Sequence, residues 1–396
     1  MTTATGARST RLIGLDLFRA VAVFGMLVAH VGPAAWTAGH GLGQEHWVWE
    51  MFHSRMPLMF AFAAGFSMNL TRRGGAAGPA RAATVIRATL LILVGFALSA
   101  LGTPVVVILS YFGVFFLLSV PVHTLTARPL FVIAAVWAVA GPPLSLWLRT
   151  VVDLPGNPLW TGVVAGDYPA LTWMPFILMG MAVGRLDLSS SAVRWRIGIA
   201  GAVTALVAYG ASALALALGA RDALIAAVGP TESLTAAQHY ARLLHHESGV
   251  TDTSSWLWLV TSAPHSGSWG DVWGGLGVCG ALLALLLPLG DWAQRRSDSG
   301  FSASARGLVR LSAAPGSMVL SVYAAHIVAI WAITALTGYS FSPAQPVWIL
   351  LSFTLGVTVF AGLWMRRHAR GPLESLMGDA TAAVLRVARK ERPGSA

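Results

Sequence analysis

Apolar stretches long enough to cross a lipid bilayer recur along almost the whole chain, and they constrain the fold more than any other feature. Hydrophobic residues make up 56% of the 396 residues, and charged residues only 11%. A membrane-spanning helix needs roughly 20 mostly apolar residues. Because a backbone in lipid must satisfy its own hydrogen bonds, we predict an all-α, polytopic membrane helical bundle of about ten spans. The predicted spans are 12–33, 52–70, 85–102, 104–123, 130–148, 169–186, 197–219, 270–289, 317–337 and 345–365.

The remaining segments predict one membrane domain, 12–365, between a short tail, 1–11, and a basic tail, 366–396. Segment 73–84 is rich in Gly, Ala and Pro and is typical of a linker, 292–312 is typical of a polar loop, and 234–246 has the pattern of an amphipathic surface helix. No cleavable signal peptide is expected, since the first apolar run continues through a polar loop into a second span.

The distribution of positive charge predicts the orientation of the bundle. With the N-terminus inside, 21 of the 26 Lys and Arg residues fall in inner segments and four fall outside, at Arg55, Arg149, Arg221 and Arg242. Positive charge is retained on the cytoplasmic side, so both termini are predicted to be cytoplasmic. The net charge of +10 is then a topology signal. We predict a multi-pass plasma-membrane protein with lipid, and no nucleic acid, as its partner.

The first span carries three ionisable residues, Asp16, Arg19 and His30. Such residues are costly in lipid and usually have a function. Asp16 and Arg19 are three residues apart, so they share a helix face and can simply pair with each other. Alternatively, Arg19 binds a cytoplasmic ligand that carries phosphates, together with arginines of the inner segments. Those arginines are Arg72, Arg73 and Arg87.

Five histidines fall in the outer half of the predicted bundle or on its outer side, and a bundle can bring them to one vestibule. They are His30, His46, His53, His265 and His326. Taken as helical, the spans place His30 about 27 Å from Leu12, at the outer boundary, and His326 about 14 Å beyond Ser317, near mid-membrane. A neutral imidazole can take a proton from an acceptor hydroxyl or amine. Each histidine alone could instead be an interhelical hydrogen-bonding residue.

Other chemistries have less support in the sequence. No HExxH or CxxC spacing is present, so no metal is expected, and the single cysteine, Cys279, can form no internal disulfide. The main rival to an enzyme is a proton-coupled transporter or exporter of a small anionic or lipid-linked solute, in which histidines relay protons. The absence of an internal repeat gives that alternative no support. A structural membrane subunit would explain the spans but not the gathered histidines.

Several motifs resemble those of one family, the heparan-α-glucosaminide N-acetyltransferase-like transmembrane acyltransferases and the similar YeiB-like bacterial membrane proteins. The longest runs from Arg11 to His30, with Asp16, Arg19 and Gly25 at the positions expected for the family's first span, although Ala20 replaces a frequent glycine. The other matching stretches are 53–65, 109–113, 264–267, 316–326 and 371–374.

The resemblance implies transfer of an acyl group, typically acetyl, from cytoplasmic acetyl-CoA to an outer acceptor such as a sugar or glycolipid. A histidine would be central, with His53 and His30 favoured, His46 next, and His326 and His265 as further candidates. Arg55 would stabilise the oxyanion. The donor would be held by Arg19, Asp16, Arg72, Arg73 and Arg87. The sequence leaves the oligomeric state open, a homodimer included.

Overall fold

The computed structural model of the chain is almost entirely helical and describes residues 12–34, 36–37, 44–45, 49, 52, 55–69, 77–245, 249–295, 301–341 and 344–390. The main helices are α1 (Ile13–Val31), α2 (Arg55–Met68), α3 (Ala77–Ser99), α4 (Leu109–Ser119), α5 (Ala127–Val151), α6 (Ala170–Val183), α7 (Ser191–Ala215), α8 (Arg221–Val228), α9 (Ala236–His245), α10 (Trp269–Gln294), α11 (Phe301–Ala313), α12 (Val319–Thr337), α13 (Val347–Arg367) and α14 (Pro372–Lys390).

Each of the ten predicted spans coincides with one helix of the bundle. Within the described residues, seven helical segments are long and apolar enough to cross a membrane. They are α1, α3, α5, the continuous segment formed by α7 and α8, α10, α12 and α13. The other three predicted spans correspond to α2, α4 and α6, which have 14, 11 and 14 residues. The all-helical membrane bundle is therefore confirmed, with seven candidate spans rather than ten by length.

Smaller elements connect these helices. Two short antiparallel strands of two residues each, β1 (Trp36–Thr37) and β2 (Gln44–Glu45), follow α1. A π-helical turn, Leu216–Ala220, joins α7 to α8, and Gly219 accommodates its kink at φ 113°. A 3₁₀ turn, Trp256–Val260, lies between α9 and α10.

Close backbone contacts at glycines hold the core helices together. An added Cβ at Gly180 in α6 would lie 2.0 Å from the Phe62 carbonyl oxygen, and one at Gly65 in α2 would lie 2.0 Å from the Ile177 oxygen. Small residues allow helices in membranes to approach this closely, and dispersion contacts then stabilise the pair. The interface between α2 and α6 therefore depends on both glycines.

Replacing Gly180 with alanine is expected to destabilise the bundle. The new methyl group would force α2 and α6 apart, and overpacking of this kind costs about 1–3 kcal/mol. Gly210→Ala in α7 is the matched control, because a Cβ there meets open space. Thermal unfolding of both variants in detergent measures the difference. A Gly180→Ala midpoint equal to that of Gly210→Ala would show that the close approach is not needed.

Glycines also fix the direction and register of α1. An added Cβ at Gly316, just before α12, would lie 1.8 Å from the Asp16 oxygen in α1, so α1 and α12 begin at the same end of the bundle. An added Cβ at Gly14 would lie 2.6 Å from the Leu287 Cα, late in α10. We call the end where α1 and α12 begin the proximal end, and the end where α10 begins the distal end.

Two interpretations of the connecting segments were wrong. The predicted linker 73–84 is helical from Ala77 onward, because its alanines favour helix, and the predicted loop 292–312 contains α11. The predicted amphipathic helix at 234–246 is confirmed by α9. The predicted basic tail contains α14, which packs against α3 and α12.

Candidate functional site

A cavity of about 440 Å³ opens at the proximal end of the bundle. Its walls come from α1, α2, α3, α4 and α12 and from the start of α14. Apolar side chains form much of the lining, namely Phe60, Leu91, Ile108, Leu109, Phe112 and Phe116. A volume of this size lies in the range of small-molecule sites. The shape and lining suit a ligand with a long apolar or neutral portion.

Three arginines from different parts of the chain line this cavity: Arg19, Arg87 and Arg370. Arg19 forms the predicted ion pair with Asp16, at 3.4 Å, and also donates a hydrogen bond to the Ser67 hydroxyl. Arg19 therefore pairs with Asp16 and also lines the cavity, while its binding of a ligand that carries phosphates stays a prediction. Asp16 is buried, and it contributes to this site as the ion-pair partner of Arg19.

Arg87 and Arg370 are close enough for their positive charges to repel each other. Neither forms an ion pair with any carboxylate in the described part of the chain. Two guanidinium groups held near each other without neutralising carboxylates favour an anion, because planar guanidinium forks match phosphate oxygens. The positive charges of Arg87 and Arg370 are therefore suited to binding a phosphate group in this cavity.

Among the described residues that line the cavity, the one carboxylate, Glu374, is already hydrogen-bonded. Glu374, in the first turn of α14, accepts hydrogen bonds from the Leu320 and Ser321 amides at 2.8 and 3.3 Å and from the Ser321 hydroxyl at 2.5 Å. These amides belong to the first turn of α12 and have no intrahelical partner. Glu374 thus caps α12 and attaches the C-terminal segment to it.

The inner end of the cavity is formed by Tyr323. Its hydroxyl accepts a hydrogen bond from the Ile108 amide at 3.1 Å. One turn further along α12, the His326 ring lies edge-on to the Tyr323 ring, with centroids 5.2 Å apart. A ligand that fills the cavity from the arginines inward would therefore end beside His326.

His326 forms a hydrogen-bonded pair with His30, although the two are 296 residues apart in sequence. The His30 Nδ1 lies 2.9 Å from the His326 Nε2, and the ring planes are within 8° of parallel. His30 and His326 each lie ten residues beyond the contact of Gly316 with Ala20, or about 15 Å along their helices. The two histidines therefore lie at the same depth in the bundle. Counting residues from the start of each predicted span predicts different depths, with His30 at the outer boundary and His326 near mid-membrane, and that prediction was wrong.

The surroundings of His326 favour one tautomer of the pair. His326 is 1% exposed, and the Val322 and Tyr323 carbonyl groups lie next to its ring. No residue in the described part of the chain forms a hydrogen bond of normal geometry with its Nδ1. A nearby carbonyl oxygen favours a proton on Nδ1 over a lone pair. With that assignment, the protonated His30 Nδ1 donates a hydrogen bond to His326 Nε2, and His30 carries its lone pair on Nε2.

A second polar cluster lies at the distal end. The Arg55 Nε donates to the Tyr209 hydroxyl at 2.8 Å, and the Arg55 charge interacts with that of Asp271, which is 2% exposed. The Asp271 carboxylate accepts a hydrogen bond from the Gly267 amide at 3.1 Å, while the Asp271 amide donates to the Ser268 hydroxyl at 3.2 Å. Ser268 therefore caps the start of α10, and the Asp271 carboxylate binds the amide of the residue before this cap.

His265 lies in the loop just before α10. It is a non-glycine residue at φ 57°, a conformation that costs about 1–3 kcal/mol. Its ring contacts Tyr168 and Trp173, with centroids 4.8 and 5.3 Å away. The described contacts thus group His265 and Arg55 around Asp271, and they pair His30 with His326, which contacts Tyr323 in the cavity wall.

The structure therefore brings together part of the predicted set. Arg19 and Arg87 line one cavity, and His30 contacts His326. His46, His53, Arg72 and Arg73 lie outside the described residues. Within the described residues no group of three or more His, Cys, Asp or Glu side chains could hold a metal ion.

Sequence reasoning missed five residues of these clusters. They are Tyr209, Asp271, Tyr323, Arg370 and Glu374. Ser268 and Asp271 have the spacing of a capping box before an apolar run, which is a recognisable sequence signal. Arg370 gives no such signal, because it is one of several arginines in a basic segment.

Comparison with known proteins supports the interpretation of these motifs. A search of curated proteins gave no match. The family model described as heparan-alpha-glucosaminide N-acetyltransferase, catalytic, matches residues 11–218, a little more than half of the chain. The match includes Arg19, His30, Arg55 and Arg87 and ends before α10. By this match, the chain belongs to the heparan-alpha-glucosaminide N-acetyltransferase family.

Proposed function

We propose that this protein is a membrane acetyltransferase that moves an acetyl group from cytoplasmic acetyl-CoA to an acceptor on the opposite side of the membrane. One observation carries the proposal: a cavity lined by three arginines reaches Tyr323, whose ring contacts His326 of the histidine pair. Family membership and seven apolar helices support a membrane N-acetyltransferase. The proximal end faces the cytoplasm in this proposal, in line with the arginine distribution.

The donor would bind with its charged end at the cavity mouth. Arg19, Arg87 and Arg370 would hold the phosphates of coenzyme A, with Arg72 and Arg73 of the inner segment as further proposed contacts. The long pantetheine arm would follow the apolar wall inward. Its thioester would then reach Tyr323, next to His326.

The histidine pair supplies the acid–base chemistry in this proposal. The acceptor amine or hydroxyl attacks the thioester carbonyl carbon, while His30 Nε2 takes the proton that the acceptor loses. The carbon–sulfur bond breaks, and the departing thiolate of coenzyme A receives that proton. His326 holds the orientation of His30 and stabilises its positive charge through their hydrogen bond, as an orienting partner does in other acid–base pairs.

An acyl-enzyme route uses the same geometry. His30 would attack the thioester first, and the acceptor would then displace the acetyl group from the imidazole. Arg55 would stabilise the oxyanion from the distal end, with its Nε already bonded to Tyr209. His265, His46 and His53 stay further candidates for contact with the acceptor.

Sealed membrane vesicles of opposite orientation test this proposal. Glucosamine is a suitable acceptor probe because the family name specifies a glucosaminide. Inverted vesicles with glucosamine inside are expected to form the N-acetylated product when acetyl-CoA is added outside. Right-side-out vesicles with glucosamine added outside should need acetyl-CoA trapped inside. Product that forms equally from donor on either side would contradict the proposed direction.

A further inference from the structure

A second cavity, of about 560 Å³, lies at the distal end of the bundle, away from the proposed donor site. Its lining comes from the end of α5, from α9 and from the segment that leads into α10. Almost all of these residues lie beyond residue 218, where the family match ends. The family resemblance therefore says little about this pocket, and its own residues must identify the ligand.

The pocket is built on firmly held side chains. The Arg149 guanidinium donates to the Thr251 carbonyl oxygen at 2.6 Å and to the Thr251 hydroxyl at 3.1 Å. Trp258, which is 1% exposed, stacks on Tyr240 with ring centroids 5.8 Å apart, and its Nε1 donates to the Ser254 hydroxyl at 3.1 Å. These contacts hold the side chains of Arg149 and Trp258 in place, so this part of the pocket is formed before a ligand binds.

The charges in the pocket do not cancel. Arg149 is held by Thr251 and interacts with the nearby negative charge of Asp252. Arg242, on α9, lines the same pocket, is exposed, and forms no ion pair or hydrogen bond with any described residue. The positive charge of Arg242 is thus not balanced by a described carboxylate in this concave site. An anionic group is the complement that such a guanidinium selects.

The rest of the lining suits hydroxyl groups. The His239 Nδ1 lies 3.0 Å from the Gly229 carbonyl oxygen, so it donates there and leaves Nε2 as an acceptor. Thr231, Thr253 and the Asp252 carboxylate add polar groups around the same space. Polar groups that converge on one cavity in this way fix the orientation of a hydroxyl-rich ligand.

The pocket also adjoins the distal polar cluster. Ala263 and Ser266 line it, and they flank His265 in sequence. We propose that this pocket binds the acceptor, a hydroxyl-rich molecule that carries a phosphate or carboxylate group, with Arg242 holding the anionic group. The acceptor role rests on the proposed acetyltransferase function, whereas binding of the anion does not.

Calorimetric titration of the full-length protein in detergent tests the proposal. Two matched pairs of probes, glucosamine 6-phosphate with glucosamine and glucuronate with glucose, show which anion is preferred. At least one acidic probe is expected to bind about 10-fold or more tightly than its partner that lacks the acidic group. Arg242→Ala should weaken that binding roughly 10- to 100-fold, the usual effect of losing a hydrogen bond to a charged group. Arg221→Ala, an exposed arginine of α8 outside the pocket, should leave it unchanged.

Titration of acetyl-CoA into the same samples separates the two claims. If acetyl-CoA binds but the two members of each probe pair bind equally, or Arg242→Ala changes nothing, the pocket proposal is overturned and the proposed function stands. If an acidic probe binds through Arg242 but acetyl-CoA does not bind, the anion site stands and the acceptor role falls. Binding of both, with only probe binding lost in Arg242→Ala, supports the proposal.

Discussion

Replacing His30 with alanine is expected to lower the rate of acetyl transfer by about 10²- to 10⁴-fold, the usual contribution of a general base. Donor binding should be unchanged, because His30 lies beyond the arginines that would hold the phosphates. His326→Ala should cost a similar factor, since His30 then loses the partner that fixes its tautomer. Transfer rates and acetyl-CoA affinity of both variants, measured in parallel, give this comparison.

The double variant sharpens the test of a functional pair. If His30 and His326 act as a unit, losing both costs little more than losing one. His368→Ala is the control, because His368 is an exposed histidine at the end of α13. Transfer rates within a few-fold of wild type in both single variants would remove the pair from the mechanism.

Removing the arginines that line the cavity should weaken the binding of acetyl-CoA and leave the rate of the chemical step unchanged. Arg87→Ala and Arg370→Ala are each expected to weaken acetyl-CoA binding by roughly 10- to 100-fold, because each removes hydrogen bonds to a charged group. The loss should shrink as salt is added, since the interaction is electrostatic. Calorimetry at two salt concentrations measures both effects.

Two comparisons make this result specific. Arg366→Ala removes an exposed arginine at the end of α13 that does not line the cavity, and it should bind acetyl-CoA normally. Desulfo-coenzyme A, which keeps the phosphates, should show the same dependence on Arg87 and Arg370. Equal affinity in the wild type and both cavity variants would place the donor elsewhere.

The sequence was sufficient to predict the helices, because each long apolar run indicates a helix without information from distant residues. All ten predicted stretches coincide with helices, and the pairing of Asp16 with Arg19 follows from their three-residue spacing. Local composition gave the wrong prediction at 73–84 and 292–312, where Gly, Ala and polar residues are typical of loops. Alanine-rich and amphipathic patterns can also form helices, as they do in α3 and α11.

The site depended on information that no local pattern contains. His30 and His326 meet only because α1 and α12 run in the same direction with Gly316 against Asp16. That register follows from packing between segments almost 300 residues apart. Arg370 enters the donor cavity for a similar reason: Glu374 attaches the C-terminal segment to the start of α12.

The most direct test of the account is to map where a reactive donor analogue labels the protein. Bromoacetyl-CoA carries an electrophilic carbon close to the position of the acetyl group, and a histidine nitrogen can displace its bromide. We expect mass spectrometry to find the label on His30 or His326, and excess acetyl-CoA to prevent it. Bound analogue that labels neither histidine, or that labels only residues away from the cavity such as Cys279, would contradict a donor path from the arginines to the histidine pair.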